Sequence, residues 1–267
     1  VSFREVFGIG DRSESGVETL NAAVNGPHRF GHARLGLQPH AEYSCGKEVY
    51  LAATGHGLPL STHIAELQGG IDFVTNGSGP FKAWLEDVGF LAGEYQPLGD
   101  HPIPALSEIF TADPWICAHV NYADDSVIDA MAKLCITVAY CPRSSTWFGH
   151  DSDARVHPYR DMLDRGIRVA LGTDSMLNLD TPDRITVLDE MRLLHRRDGM
   201  DPQTLLKMAT IHGAVGLGVD PSRVSFSTGP VMGVIAVPTP DGRLSGALAT
   251  DAAPHWVVAP TLTMSAV

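Results

Sequence analysis

Leu58-Pro59-Leu60-Ser61-Thr62-His63-Ile64-Ala65-Glu66 runs an apolar strand into a histidine and, three residues later, a glutamate. A strand that ends in ionisable side chains delivers them to one rim of a sheet, which is where α/β enzymes keep their chemistry. Alone, the pair also fits a hydrogen-bonded histidine at the edge of a core. Three further segments decide between these readings. Trp115 to His119 ends in histidine, Ile136 to Cys141 runs into Pro142-Arg143, and Ile167 to Thr173 ends on Asp174. Four strands that each release a polar or ionisable group at the same end point to one site.

Working outward, apolar segments alternate with amphipathic ones. Strands are expected at 1–7, 32–38, 60–63, 115–119, 136–141 and 167–172. Helices are expected over 16–24, 47–53, 81–88, 105–111, 125–134 and 159–165, from Thr181-Pro182 to about Arg197, and from Asp201-Pro202 onward. Strands that alternate with helices in this way make parallel βα units covered on both faces. Ile185, Leu188, Met191 and Leu194 share one helical stripe and belong to the core.

Residues 67–112 form a long, Gly- and Pro-punctuated excursion expected to shape a substrate pocket. From Thr228 the texture changes to short β pieces at 231–237 and 255–259. The expected fold is α/β, a TIM-like (β/α)8 barrel over residues 1–227 that lacks about two strands before Val1. A small β appendage, part of a composite β domain, follows over 228–267.

The 267 residues carry 19 Lys and Arg against 31 Asp and Glu, a formal charge of -12. That balance argues against nucleic acid or an anionic membrane as partner and favours a small neutral or cationic substrate. Cys45, Cys117, Cys135 and Cys141 have no C-x-x-C spacing and are read as reduced, which places the protein in the cytoplasm. No apolar run approaches the ~20 residues of a membrane helix. The chain opens at Val1, inside an apolar strand, as if cut. A homo-oligomer is left open.

The landmarks Pro39-His40-Ala41, Thr62-His63-Ile64-Ala65-Glu66, Ala118-His119, Ala139-Tyr140-Cys141-Pro142-Arg143-Ser144-Ser145, Leu171-Gly172-Thr173-Asp174-Ser175 and Leu206 to Ala214 follow one another in order. Together they resemble the amidohydrolase superfamily, in particular its cytosine-deaminase-like branch of amino-heterocycle deaminases and chlorohydrolases. The resemblance implies one divalent metal, zinc first and iron second, with His63 and Asp174 as ligands. It implies Glu66 as proton shuttle, His119 as partner of the water or leaving group, and Asp174 as acceptor of a proton from that water. His40 and Arg143 stand where the family contacts substrate, and Ser175 where a hydroxyl orients Asp174. The family's first strand carries His-x-His, and no His-x-His occurs in this sequence.

A divalent metal held by imidazole and carboxylate lowers the pKa of bound water to about 7. A second carboxylate is then needed to move protons, and Glu66 beside Asp174 supplies the pair. The implied activity is hydrolytic deamination of a purine-like, adenosine- or aminofutalosine-like heterocycle. Amide hydrolysis and chloride expulsion use the same apparatus. A protein of another class, a binding protein or inactive fragment that keeps the scaffold, is the reading the missing His-x-His favours. His150 and His157, flanking a charged loop at the expected rim, are further candidates for substrate contact.

Overall fold

Short apolar runs of four to seven residues form the strands, because β-branched and aromatic side chains fit a pleated surface buried on both faces. The computed structural model describes residues 1–151, 156–181, 183–227 and 229–260. The chain divides into two compact units, one of residues 1–138 with 158–167 and the other of residues 139–157 with 168–267.

In the first unit, β1 (Ser2–Val6), β3 (Ala33–Pro39), β4 (Leu60–Ile64) and β5 (Trp115–His119) are neighbours in that order, and β2 (Arg29–Phe30) pairs antiparallel with β3. β1, β3, β4 and β5 run parallel, with Glu5 opposite Gln38, Leu37 opposite Leu60, and His63 opposite Ala118. β6 (Ile136–Tyr140) comes next in the order. Helices Ser13–Val24 and Lys47–Ala53 pack against one another outside the strands. Tyr50, on the second of these, packs edge-on against Phe110 and tilted against Trp115, and its hydroxyl meets Thr62 Oγ1 at 2.8 Å. A buried aromatic needs such a partner for its polar tip.

The excursion is more helical than the sequence suggests, with helices at Gln68–Asn76, Pro80–Asp87, Pro102–Ala105 and Ser107–Ala112. The first of these was not expected. Its Phe73 and Val74 join Ile9, Leu85 and Leu91 in a separate core, flanked by Tyr43, Phe81, Phe90, Tyr95 and Leu98. Burying each such side chain contributes roughly 1.5–3 kcal/mol, enough to order a segment rich in glycine.

In the second unit, β7 (Arg168–Leu171) follows β6 in the strand order, and Gly172 N–H donates to Tyr140 O at 2.9 Å. Leu188, Met191 and Leu194 are buried as expected, on a helix that spans Val187–Asp198. It starts later than Thr181: Thr186 is the cap, accepting from Leu188 N–H, and Ile185 lies before the helix and is 59% exposed. Thr181 is otherwise engaged, its hydroxyl accepting from Arg143, and Pro182 lies outside the described residues.

Helix Pro202–Lys207 continues into a π-turn, Met208–His212, whose His212 Nδ1 bonds Val169 O on β7 at 2.9 Å. β8 (Val234–Ala236) and β9 (His255–Val258) form an antiparallel pair in the stretch expected as β appendage, with helix Leu244–Leu248 between them. Residues 228 and 261–267 of that stretch lie outside the described residues. Among the described residues, no helix is long and apolar enough to cross a membrane.

Candidate active site

The strand ends of the first unit assemble most of the expected side chains. His63 is the penultimate residue of β4, and its N–H donates to His40 O at 2.8 Å, so the loop after β3 is tied to the end of β4. His40 N–H in turn donates to Val6 O at 2.9 Å, tying the same loop to β1. The ring of His63 lies 5.1 Å from that of His40 and stacks at 5.4 Å on that of His119. His119 Nε2 is 3.7 Å from Glu66 Oε1, and the Asn121 side chain donates to Glu66 O at 3.2 Å. His40, His63, Glu66 and His119 therefore converge.

Backbone strain marks the same strand ends. Among the described residues, the non-glycine residues with left-handed φ are Ala65 at 50°, His119 at 69° and Val120 at 53° at these strand ends, and Asp174 at 55° in the second unit. Each costs of order 1–3 kcal/mol and persists only where surrounding structure over-determines it, which happens most at functional sites. Ala65 and Val120 are fully buried, so packing holds them in this conformation.

The hydrogen bonds fix which ring nitrogens are free. His63 Nδ1 lies 3.0 Å from His40 O, an acceptor only, so Nδ1 carries a hydrogen and Nε2 is the nitrogen left to meet a ligand. His40 Nδ1 lies 2.7 Å from Ser44 Oγ, and that hydroxyl donates to Ala41 O at 3.2 Å. The His40 ring thus donates through Nδ1 and also presents a bare Nε2. Burial, followed by the neighbouring His63, pushes the His40 pKa down to about 4 and keeps the ring neutral.

Glu5 completes a group with these two rings. Each of Glu5, His40 and His63 offers one ligand atom within 4.8 Å of the others, and Gln38 Nε2 donates to Glu5 Oε1 at 3.1 Å. Two imidazoles and one carboxylate, each held by a further hydrogen bond, could hold a divalent ion. Glu5 escaped the sequence reading, although its position offers a signal: it is penultimate in β1, as His63 is in β4.

The second unit holds the remaining candidates. Asp174 follows β7, and its Oδ2 accepts from Ser144 Oγ at 2.5 Å. Ser175, expected as the orienting hydroxyl, instead caps the turn Met176–Asn178 by accepting from Leu177 N–H. Arg143, expected at the substrate, is buried and engaged with protein groups. Its Nε donates to Glu190 Oε1 at 2.6 Å, and its Nη1 to Asp180 Oδ1 and Thr181 Oγ1, each at 2.9 Å. Its main-chain N–H donates to Glu190 Oε2 at 3.1 Å, and its Nη2 has no hydrogen-bond partner among the described residues. Burial pushes Glu190 up to about 7, with the Arg143 hydrogen bonds and charge opposing.

His157 is buried and stacked at 3.8 Å on Tyr140, and His150 is buried as well. Residues 152–155, part of the charged loop between them, lie outside the described residues.

Residues 11–223 match the family model described as the amidohydrolase family. The chain belongs to that family. It is 30% identical over 194 residues to the 5-methylthioadenosine/S-adenosylhomocysteine deaminase of Thermococcus onnurineus, covering 68% of this chain and 39% of that protein. An adenosine deaminase from Xanthomonas campestris with bound zinc shares the fold at a TM-score of 0.64 and 17% identity, over 94% of this chain and 56% of that one. An atrazine chlorohydrolase mutant from Arthrobacter aurescens, complexed with zinc and atraton, does so at 0.65 and 17%, over 92% and 56%. The chain spans about two-fifths of the length of the first of these relatives. The amidohydrolase α/β architecture expected from the strand order is therefore shown.

Proposed function

We propose that the chain carries active-site strands of a metal-dependent amidohydrolase acting on carbon–nitrogen bonds other than peptide bonds. The reaction is hydrolytic deamination of an amino-substituted, purine-like heterocycle such as an adenosine derivative. The observation that carries this reading is the convergence of His40, His63, Glu66 and His119 at strand ends whose backbone is held left-handed. The deaminase named among the relatives supports the substrate class.

In the first unit His63, His40 and the Glu5 carboxylate would hold the metal, zinc ahead of iron. The Asp174 carboxylate is proposed as a ligand on its sequence motif alone. A bound divalent metal supplies Lewis acidity and hydroxide at neutral pH. The protein's own groups do the rest. Glu66 relays the two protons of the attacking water, the first to the ring nitrogen next to the amine-bearing carbon and the second to the departing amine, which leaves as ammonia. His119, 3.7 Å from Glu66 Oε1, holds that carboxylate toward the reacting carbon. In the second unit Ser144 donates to the Asp174 carboxylate and so fixes its orientation. The substrate is a small molecule, the setting is the cytoplasm, and a homo-oligomer is compatible with this scheme.

The test is a panel of adenosine derivatives, aminofutalosine, an amide and a chlorotriazine, assayed for ammonia and chloride with the intact protein. Ammonia from an aminopurine is the expected result. Chloride release without ammonia would move the reading to a chlorohydrolase, and no turnover by metal-loaded protein would move it to a binding protein.

A further inference from the structure

The first unit contains a cavity of about 510 Å³ beside the site, walled by Glu42, Asp11, Glu48, Glu94, Tyr95 and Leu106 among others. Glu42 sets it apart from a surface cleft. Its side chain is 2% exposed, and neither carboxylate oxygen reaches a hydrogen-bond partner among the described residues. A carboxylate in that position is costly unless a proton or a cation neutralises it. The other acids are exposed, at the mouth, and two of them are accommodated by glycine. The Asp11 carboxylate lies where a Cβ on Gly93 would stand, and Glu48 Oε2 where one on Gly46 would. Lys47, the basic residue of the lining, extends toward Glu108 at 4.0 Å.

We propose that this cavity binds a small organic cation, an ammonium head on an apolar body, with Glu42 as its buried counter-charge. Size and chemistry separate this ligand from a metal ion. No three of these acids bring oxygens within chelating distance, since the group that does so among the described residues is Glu5, His40 and His63. The volume also far exceeds that of a bare ion, and Tyr95, Pro97, Leu98 and Leu106 give the apolar walls that a carbon body needs. The Tyr95 ring adds a face suited to a cationic head.

The experiment compares three probes with one body and different heads: phenethylammonium, 2-phenylethanol and 3-phenylpropionate. Each is titrated calorimetrically into the intact protein with chelator present, so the outcome does not depend on the deaminase reading. Saturable one-to-one binding of the cation is expected, with the alcohol weaker by about tenfold or more and the anion not bound. Glu42→Gln, checked for folding by its thermal melt, should weaken the cation by about tenfold or more. Methyl shifts of Leu98 and Leu106 should move on binding to the wild-type protein, a measurement that stands even if the variant does not fold. Equal affinity for alcohol and ammonium, unchanged affinity in folded Glu42→Gln, or shifts confined to other regions would overturn the proposal.

Discussion

The Nδ1 of His63 donates to the main-chain carbonyl of His40 across 3.0 Å. One bond therefore sets the tautomer of the first ring and the path of the loop that carries the second. Ser44 does the same for His40, through Oγ at 2.7 Å. Both rings are therefore oriented through Nδ1 before any metal arrives.

Removing the Ser44 hydroxyl tests whether His40 is held for that purpose. Ser44→Ala should leave the fold intact and lower metal affinity by about 10–100-fold, the usual effect of losing a partner that orients a ligand. His63→Ala should abolish stoichiometric binding. Competition against a chromophoric chelator measures both. Unchanged affinity in Ser44→Ala would take His40 out of the ligand set.

Glu66→Gln separates proton transfer from metal binding. The amide is nearly isosteric and no coordination bond is assigned to Glu66, so metal content should match the parent. Ammonia release should slow by roughly 10²–10⁴-fold. If the variant turns over normally, the proton moves through another group, and His119 at 3.7 Å is the first to examine.

The strands and the four converging residues were legible because each strand is a short apolar run with an ionisable residue at or just past its end. Helix Gln68–Asn76 was not, since Gly69 and Gly70 argue against helix on propensity. Packing explains Gly70: a Cβ there would stand 3.0 Å from Tyr43 Cδ1, so the close approach of the loop after β3 favours glycine, whereas a Cβ on Gly69 would make only ordinary contact with Phe81. Glu5 was hidden because one acid in a strand carries no spacing signal; its penultimate place in β1 gains meaning from the register opposite Gln38, which brings it near His40 and His63. Arg143 was legible as a landmark but not as a tied group, because Glu190 lies 47 residues away in sequence.

Arg143→Ala therefore has an expected structural consequence. It leaves Glu190, which is fully buried, without its counter-charge, and breaking a buried pair from one side costs about 3–5 kcal/mol. The melting temperature should fall markedly, whether or not substrate affinity changes. A variant with unaltered melting and a raised KM would instead assign Arg143 to the substrate.

Glu42 and His40, two residues apart, give stability opposite dependences on pH. Burial, together with His63, lowers the His40 pKa from 6.5 to about 4, so below 6.5 the unfolded chain binds the proton first. That contribution is complete above 6.5 and is lost as pH falls toward 4. Burial raises Glu42 from 4.5 to about 8, and the neighbouring Glu66 adds to the effect. Here the folded state keeps its proton longer than the unfolded one. Its contribution is complete below 4.5 and is lost as pH rises through 8. Glu42→Gln isolates this term, because the amide does not ionise. The variant should melt with the parent near pH 4.5 and progressively above it up to pH 8 to 9, by an amount on the order of a few kcal/mol. Thermal melts of both proteins across that range decide the matter, and a difference that stays flat with pH would show that the Glu42 carboxyl is solvated or paired.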